Sequence, residues 1–269
     1  MGDKIVIVVQ ARMSSSRLPG KVMLPLLGKS LLFRMMERLQ MIKHHAQFVI
    51  AIPEEEKGGV IEQEAAAMGI PCYCGSLNNV LDRHYQAAKL YNADIVLKIP
   101  SDCPLIDPHI IDQALDFYFE HAGEYDYVSN LHPATFPDGN DVEIMTMACL
   151  ERARNEATRT LELEHTTPYI WENQDKFRIR NLIWDTGKDY SMSHRFTIDY
   201  MADYEFISTV FEELYPNKPD FSCDHILELL ERRPDIYEIN STYSVVNWYR
   251  NHLDELKTIS AEQTRTVAG

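Results

Sequence analysis

Short apolar runs without internal charges alternate with helical patterns in the N-terminal part of the chain. The runs that have the composition of strands buried on both faces are residues 4–9, 48–52, 71–74 and 95–99. Helical spacing of apolar side chains occurs at residues 31–39, 60–68, 80–91 and 108–119. Such alternation indicates right-handed βαβ units. The predicted fold is therefore α/β and Rossmann-like, with a mostly parallel central sheet flanked by helices.

The alternation becomes irregular after residue 123. Short strand patterns are found at residues 127–129, 142–145, 177–182 and 195–198, and a helical pattern is found at residues 161–171. The C-terminal third predicts helices at residues 204–214, 223–232 and 245–256. Because neither a repeat nor a linker is found, we expect a single domain over residues 1–260, with an inserted arm at residues 123–195. Residues 261–269 lack apolar periodicity and predict a flexible tail.

The overall charge limits what the chain can bind. Its formal net charge of −15 argues against a general nucleic-acid surface, because phosphate backbones are bound by basic patches. The apolar run at residues 5–9 is too short for a signal peptide, and no run approaches the ~20 apolar residues of a membrane span. The five cysteines are scattered, which favours a structural role in a reducing compartment. We therefore expect a cytoplasmic protein without nucleic-acid or membrane partners.

The polar loop after the first strand concentrates positive charge. Residues 10–21 read QARMSSSRLPGK and contain Arg12, Arg17 and Lys21 in an otherwise acidic chain. The two guanidinium groups can fork onto phosphate oxygens, Lys21 supplies a point charge, and the three serines add donors. The loop is neither a Walker loop nor a dinucleotide fingerprint, since it lacks the glycine spacing of both. It predicts a local anion site, with a solvated basic turn as the alternative.

Asp102 follows the strand predicted at residues 95–99. In parallel sheets, ligands gather beyond the carboxyl ends of the strands. The loops after residues 9 and 99 should therefore lie over the same edge. A carboxylate beside a phosphate site is a type of ligand that Mg²⁺ prefers. On its own, Asp102 could equally cap the turn that follows it.

Several sequence motifs occur in an order that is specific to one family. They are QARMSSSRLPGKV (10–22), GSLNNVLDRHYQAA (75–88), SDCPLIDP (101–108), YVSN (127–130), FPDGNDVE (136–143), EHTTPYI (164–170) and RFTID (195–199). Together they resemble the cytidylyltransferases of the acylneuraminate/Kdo type, which activate acidic sugars as CMP derivatives. The resemblance is closest to the branch named after the spore coat polysaccharide biosynthesis protein SpsF, and it covers roughly residues 4–199.

The resemblance implies a nucleotide-diphospho-sugar transferase-like fold and a reaction. The chain is expected to transfer CMP from CTP to a sugar acid or related acceptor, with Mg²⁺ and with release of pyrophosphate, in surface polysaccharide biosynthesis. Mg²⁺ is expected on Asp102 and Asp199, and the expected catalytic residues are Arg12, Lys21 and Asp102. The expected nucleotide-binding residues are Gln10, Ala11, Arg12, Ser14, Arg17, Lys21, Ser76, Asp82, Arg83 and Asp102. Related enzymes dimerise, so a homodimer is expected as well.

The later motifs are expected to line the acceptor site. Its candidate residues are Asp138, Asp141, Glu143, His165 and Arg195. A carboxylate on the acceptor would need Arg195 or Lys98 as its partner. Three acids are unfavourable beside an acidic sugar, which suggests that they bind hydroxyls, an amine or the metal. His165 could instead be a satisfied histidine within a helix.

Departures from the family pattern leave other functions open. Pro100 and Ser101 stand where the family more often has threonine and glycine, and Tyr200 replaces the usual threonine after Asp199. A glycosyltransferase of similar fold is one alternative, although residues 102–104 (DCP) lack the Asp-x-Asp that such enzymes usually carry. A catalytically silent homologue that keeps the fold is the other. The joint presence of the basic loop and both aspartates argues against it.

Overall fold

The computed structural model describes residues 2–264, in which seven strands form one mixed sheet and two short strands form a ribbon. The strands are β1 (Ile5–Gln10), β2 (Pro25–Leu26), β3 (Lys29–Ser30), β4 (Ala46–Pro53), β5 (Cys72–Gly75), β6 (Ile95–Pro100), β7 (Tyr127–Ser129), β8 (Glu143–Thr146) and β9 (Ile179–Asn181). The helices are α1 (Leu31–Leu39), α2 (Val60–Ala67), α3 (Val80–Leu90), α4 (Pro108–Glu120), α5 (Met147–Glu156), α6 (Thr160–His165), α7 (Pro168–Trp171), α8 (Met201–Leu214), α9 (Cys223–Arg232) and α10 (Pro234–Glu238). Short 3-10 helices occur at Lys21–Met23, Glu54–Glu56, Ser241–Tyr243, Trp248–His252 and Ala261–Thr264.

The strand order of the large sheet is β5-β4-β1-β6-β8-β7-β9. Strands β5, β4, β1 and β6 pair in parallel, and so do β7 and β9. Strand β8 is antiparallel to both of its neighbours, β6 and β7. Within the described residues, β8 is thus the one strand of this sheet that runs against the others. The predicted α/β fold with a mostly parallel sheet is confirmed.

The register of the central strands brings their carboxyl ends to one level. Gln10, the last residue of β1, pairs with Ala51 of β4 and with Pro100, the last residue of β6. The loops that leave β1 and β6 therefore begin side by side at one edge of the sheet, as the sequence predicted. This edge carries the polar groups described below.

Two apolar layers cover the sheet, because successive side chains of a strand face opposite sides. In β1, Ile5, Ile7 and Val9 join the layer that includes α1, α4, α8 and α9. Val6 and Val8 join the opposite layer, which includes α3, α5 and α7. Full burial of a Val or Ile side chain stabilises the fold by about 1.5–3 kcal/mol relative to exposure. Both faces of β1 therefore select apolar residues, which explains its uninterrupted hydrophobic sequence.

Sequence signals for helix starts are confirmed where they were specific. The Ser30 hydroxyl accepts a hydrogen bond from the backbone N–H of Phe33 at the start of α1. Asp107 caps α4 by accepting the N–H of His109, with Pro108 at the first helical position. Each cap satisfies a backbone donor that the first turn leaves unpaired.

Residues 123–195, for which we predicted an arm, supply β7, β8 and β9 to the central sheet together with α5, α6 and α7. The helix predicted at residues 161–171 is divided in two, because Thr166 has a φ of 72° and Pro168 starts α7. The strand predicted at residues 195–198 is wrong. Thr197 and the Ile198 N–H bond to the backbone carbonyl of Asp102, so this segment contributes only an isolated bridge at Arg195.

The helix predicted at residues 245–256 is also wrong. The segment contains only the short 3-10 helix Trp248–His252, and one of its backbone donors bonds outside the segment: the N–H of Asn247 donates to the carbonyl of Thr264. The predicted tail at 261–269 begins with the 3-10 helix Ala261–Thr264, and residues 265–269 lie outside the described residues. Across residues 2–264, every helix is too short or too polar to cross a membrane.

Candidate functional site

The loop after β1 folds back on Met13. The backbone N–H of Met13 donates to the Glu56 carboxylate at 2.9 Å, and the Met13 carbonyl accepts the N–H of Gly20 at 2.8 Å. Gly20 has a φ of 72°, a conformation that glycine adopts at little cost. A Cβ at this position would lie 3.2 Å from the Met13 side chain. The closed loop places Lys21 beside the carboxyl ends of the central strands.

Lys21 joins the two aspartates that the sequence had assigned to a metal. Its ammonium nitrogen lies 2.9 Å from Asp102 Oδ2, 3.0 Å from Asp199 Oδ1 and 2.6 Å from the Ile198 carbonyl oxygen. Burial alone would lower the pKa of Lys21, but the carboxylates of Asp102 and Asp199 raise it above its ordinary value. The lysine is therefore charged at neutral pH and fixed in position.

Asp199 is surrounded by cations. Its Oδ1 lies 2.6 Å from an Arg17 guanidinium nitrogen in addition to Lys21, and its Oδ2 accepts from Arg195 at 2.9 Å. Burial would raise the pKa of Asp199, but Lys21 and Arg17 hold it below its ordinary value. This carboxylate is therefore ionised, and its negative charge is offset from three sides.

A basic cavity of about 340 Å³ opens over the loop. We name it the basic cavity; its lining residues are Gln10, Ala11, Arg12, Ser15, Ser16, Arg17, Lys21, Val22, Val80, Arg83, Pro100, Ser101, Asp102, Glu164, His165, Asp199 and His252. Most of the residues predicted to bind the nucleotide meet here. Ser14, Ser76 and Asp82 do not line it: Asp82 accepts from Arg154 at 2.9 Å, and the Ser76 hydroxyl accepts the N–H of Asn79.

Two polar side chains of the basic cavity have buried atoms without a protein partner. Arg83 is 2% exposed; one of its terminal nitrogens donates to the Ser76 carbonyl, but its Nε is unpaired. Burial, with repulsion from Arg12, lowers the pKa of Arg83 to about 10. The Oε1 atom of Gln10, at the end of β1, is likewise unpaired. Unpaired buried donors and acceptors are costly, so this wall favours a polar ligand.

A second cavity, of about 260 Å³, adjoins the first. We name it the acidic cavity; among its lining residues are Gln10, Arg17, Lys98, Asp102, His132, Asp138, Asp141, Glu143, His165, Trp171, Arg195, Asp199, Asn247, Trp248, Tyr249 and His252. All five residues predicted for the acceptor site line it. Asp102 and Asp199 belong to both cavities, which therefore meet at the carboxylates held by Lys21.

The cations of the acidic cavity are committed to carboxylates. Lys98 donates to the buried Glu143, whose other oxygen accepts from the Tyr127 hydroxyl. Burial would raise the pKa of Glu143, but Lys98 lowers it below its ordinary value. Arg195 donates to Asp138 at 3.1 Å as well as to Asp199.

Asp138 and Asp141 are the least favourably placed charges of the acidic cavity. Burial raises the pKa of Asp138 to about 6 against the opposing effect of Arg195. Burial and the proximity of Asp138 raise the pKa of Asp141 to about 7. Asp141 forms no ion pair within residues 2–264, and its carboxylate accepts the backbone N–H of Gly139 at 3.3 Å.

Sequence reasoning missed the contribution of the C-terminal segment to the acidic cavity. Trp248 stacks on His165 with ring centroids 4.8 Å apart, and the Tyr249 hydroxyl lies 3.0 Å from His132 Nδ1. Burial, followed by the proximity of His252, lowers the pKa of His165 to about 4, so this ring is neutral at pH 7. The run NWYRNH at residues 247–252 was the available signal, because aromatic and amide side chains are common in binding sites.

The two shared carboxylates suit a magnesium ion that is completed by a substrate. Asp102 and Asp199 each place one oxygen within 3.0 Å of the same lysine nitrogen, so the two carboxylates lie close together around one positive charge. Within residues 2–264, no three His, Cys, Asp or Glu side chains form a metal-ligand group. Mg²⁺ is usually bound by one or two carboxylates together with substrate phosphates and water. The donor set therefore fits such an ion, and not a metal that is enclosed by protein alone.

Comparison with known proteins supports a nucleotidyltransferase fold. The family model described as cytidylyltransferase matches residues 6–265. The chain is similar to the spore coat polysaccharide biosynthesis protein SpsF of Bacillus subtilis, with 28% identity over 238 residues that cover 87% of this chain and 96% of that protein.

Two solved structures extend the comparison. A cytidylyltransferase from Leptospira borgpetersenii superimposes with a TM-score of 0.83 and 34% identity, covering 88% of this chain and 97% of the other. CMP:2-keto-3-deoxy-manno-octonic acid synthetase complexed with CTP has a TM-score of 0.59 at 17% identity, covering 78% and 99%. The second likeness concerns the fold alone. The predicted fold class is confirmed.

Proposed function

Because the chain belongs to the cytidylyltransferase family and is thus a CTP-dependent nucleotidyltransferase, we propose that it transfers CMP from CTP to a sugar acid or a related acceptor. The reaction needs Mg²⁺ and releases pyrophosphate. One observation carries the proposal: Lys21 joins Asp102 and Asp199 at the point where the basic and acidic cavities meet. A triphosphate in the basic cavity and a hydroxyl group in the acidic cavity both reach this point.

In the proposed reaction, a hydroxyl oxygen of the acceptor attacks the α-phosphorus of CTP. The new phosphorus–oxygen bond forms while the bond from the α-phosphorus to the oxygen bridging the β-phosphate breaks, and pyrophosphate leaves with that oxygen. The hydroxyl proton passes to water or to a carboxylate of the acidic cavity. The protein contributes positioning and neutralisation of charge, since phosphoryl transfer requires little covalent chemistry from it.

The cations of the basic cavity are assigned to the triphosphate. Lys21 neutralises charge that develops at the α-phosphate, and Arg12 and Arg17 bind the departing phosphates through their forked donors. The buried Arg83, with its unpaired Nε, adds a further donor to the same wall. Asp102 and Asp199 would hold the Mg²⁺, which would add positive charge beside the triphosphate and lower the pKa of the attacking hydroxyl.

The acidic cavity indicates how the acceptor is recognised. Lys98 and Arg195 already pair with Glu143 and Asp138, so neither is a free partner for an acceptor carboxylate. Asp138 and Asp141 accept hydrogen bonds from acceptor hydroxyls or from an amine. The similarity to SpsF supports a role in the biosynthesis of a surface polysaccharide.

The proposal is tested by measuring pyrophosphate release with Mg²⁺. Each of CTP, UTP, ATP and GTP is paired with a panel of sugar acids that includes aminated members. We expect release with CTP in the presence of at least one sugar acid. Lys21→Ala should reduce that rate by on the order of 10²- to 10³-fold, by analogy with the loss of one preorganised oxyanion donor.

The matched control is Lys29→Ala, which removes an exposed lysine from the same N-terminal region outside both cavities. It should keep the wild-type rate. Turnover of a nucleotide sugar without pyrophosphate release would instead identify a glycosyltransferase. Binding of CTP with no turnover across the panel would identify a silent homologue, and either result contradicts the proposal.

A further inference from the structure

A buried carboxylate lies behind Asp199 and outside both cavities. Asp203 is 0% exposed and occupies the first turn of α8. Its Oδ2 accepts the backbone N–H groups of Asp199 and Tyr200 at 2.8 and 2.9 Å. Its Oδ1 accepts from Arg195 Nε and from Asn240 Nδ2, each at 3.0 Å. The carboxylate is therefore saturated with hydrogen bonds from four residues.

These contacts act on Asp199 along two routes. The first is direct, because Asp203 holds the main-chain N–H of Asp199. The second passes through Arg195, whose guanidinium binds Asp203 with Nε and reaches Asp199 Oδ2 with a terminal nitrogen. Both routes fix the carboxylate of Asp199 so that its Oδ1 faces Lys21 and Arg17.

We propose that Asp203 is a positioning residue for the nucleotidyl transfer, acting through Arg195 and the Asp199 backbone to keep Asp199 oriented toward the metal and the triphosphate. This inference rests on the proposed function of Asp199. Asp203 touches neither cavity, so its effect on the reaction is indirect. The Arg195 guanidinium is shared among three carboxylates. The negative charge of Asp203 therefore also limits how strongly Arg195 attracts Asp199.

Asn240 completes the arrangement from a different part of the chain. It is 2% exposed, and its amide nitrogen donates both to Asp203 Oδ1 and to the carbonyl oxygen of Arg195. The amide therefore ties the carboxylate to the backbone that carries the guanidinium. Outer partners of this kind usually change metal affinity or activity by about 10- to 100-fold when they are mutated.

A purely structural role for Asp203 is the competing explanation, since it also caps α8. The chain offers a matched control in Glu162, which is 4% exposed and lies in the first turn of α6. Glu162 accepts the N–H groups of Thr158 and Arg159 at 2.9 Å and pairs with the Arg159 side chain. Like Asp203, it accepts two backbone N–H groups and pairs with an arginine, but none of its contacts reaches Asp199.

The experiment compares wild type, Asp203→Asn and Glu162→Gln as full-length proteins. Thermal unfolding measures the loss of the helix cap in each variant. Pyrophosphate release as a function of Mg²⁺ concentration measures half-saturation by the metal and kcat. Binding of Mn²⁺ in the presence of CTP, followed by electron paramagnetic resonance, measures metal affinity without turnover. CTP binding without metal is followed by equilibrium dialysis.

We expect Asp203→Asn to raise the Mg²⁺ concentration for half-saturation and to weaken Mn²⁺ binding by about 10-fold or more, as for other outer partners of a metal site. CTP binding without metal should stay within about twofold of wild type, because the cations of the basic cavity are unchanged. Glu162→Gln should lose comparable thermal stability and keep wild-type metal dependence. Equal metal dependence in the two variants would overturn the inference and leave Asp203 as a helix cap.

Asn240→Ala provides a second variant should Asp203→Asn fail to fold. It keeps all charges and removes the amide donor to Asp203. We expect a shift of about threefold in metal half-saturation, below the roughly 10- to 100-fold of a direct outer partner, because Asn240 acts on Asp199 only through Asp203 and Arg195. Wild-type metal dependence in this variant would overturn the inference. If wild-type protein neither binds Mn²⁺ nor releases pyrophosphate, the proposed function fails and the inference falls with it. An active wild type beside an unaffected Asp203→Asn overturns the inference alone.

Discussion

The basic and acidic cavities share Asp102 and Asp199 but balance their charges in different ways. In the basic cavity, Arg12 forms no hydrogen bond or ion pair with any other residue in the described range 2–264. Arg83 in the same wall retains an unpaired Nε. Lys21 and Arg17 of the basic cavity do pair with carboxylates. In the acidic cavity, by contrast, each lining Lys and Arg within residues 2–264 is paired with a carboxylate of the protein.

The difference indicates two modes of recognition. Cations that lack protein partners gain most from a polyanion, because their hydrogen bonds are completed only when the ligand binds. Where every cation is already paired, as in the acidic cavity, little positive charge is left for a ligand, so shape, hydroxyl contacts and aromatic packing must select it. Nucleotide binding in the basic cavity should therefore depend on single charged side chains, and acceptor binding in the acidic cavity on single packing and hydrogen-bond contacts.

The largest effect is expected where the cavities meet. Asp102→Asn removes one of the two carboxylates that hold Lys21. We expect kcat for pyrophosphate release to fall by about 10²- to 10³-fold with every acceptor, as when one preorganised charge-stabilising group is lost. Steady-state kinetics with CTP and two different acceptors checks this.

Asp94→Asn is the control for that variant, because Asp94 lies just before β6 at the opposite edge of the sheet and accepts the N–H of Lys4. It should leave kcat unchanged. A loss in Asp102→Asn that is confined to one acceptor would mean that the shared aspartate belongs functionally to the acidic cavity alone.

Removal of an unpaired cation should affect the nucleotide selectively. Arg12→Ala is expected to lower kcat/KM for CTP by about 10- to 100-fold, because a hydrogen bond between charged groups contributes about 1.5–3 kcal/mol. The KM of the acceptor should not change, since Arg12 does not line the acidic cavity. Arg154→Ala, whose side chain pairs with Asp82, is the control and should be neutral. An equal rise in both KM values would break the distinction between the cavities.

A smaller effect, on the acceptor instead of the nucleotide, is expected from a change in the acidic cavity. Trp248→Ala removes the ring that stacks on His165. We expect the KM of the acceptor to rise about fivefold, since an aromatic pair contributes about 0.5–1.5 kcal/mol. The KM of CTP should change less than that of the acceptor, because Trp248 itself does not line the basic cavity, although its partner His165 does. Trp248→Phe, which keeps an aromatic ring, should restore most of the affinity; a change in the KM of CTP instead would contradict the assignment.

The two cavities also differ in how far their residues could be predicted from the sequence. The basic cavity is built largely by one continuous loop after a recognisable buried strand, so Arg12, Arg17 and Lys21 could be assigned together. The acidic cavity combines residues near 98, 138, 195 and 248, which become neighbours only through tertiary contacts.

Predictions from local sequence patterns were wrong or incomplete for segments that are held by tertiary contacts. The apolar spacing of residues 245–256 predicted a helix, but Glu172 accepts the N–H groups of Lys257 and Thr258 and holds this part of the chain in another conformation. The role of Asp203 could likewise not be predicted, because a carboxylate at the start of a helix is common as a cap. Its contact with Arg195 depends on the approach of two segments that no local pattern encodes.

The smallest expected effect concerns stability, and it has the opposite sign to the effects on activity. Burial and the nearby Asp138 raise the pKa of Asp141 to about 7 in the folded protein, against about 3.9 for an unperturbed aspartate. The folded state therefore binds this proton more tightly than the unfolded state. The free energy of unfolding must then fall as pH rises from about 4 to about 7, with no further contribution above that range.

Asp141→Asn should remove most of this slope. We expect the variant to be more stable than wild type by about 1 kcal/mol at pH 8, a value reduced for partial exposure to solvent, and the difference should vanish near pH 4. Urea unfolding at both pH values measures it, with Asp82→Asn as a control outside both cavities. A variant that is also less able to use the acceptor would show that the acidic cavity retains an unfavourable charge for function. A variant less stable than wild type at pH 8 would mean that Asp141 is well accommodated, and the contrast between the cavities would lose its electrostatic basis.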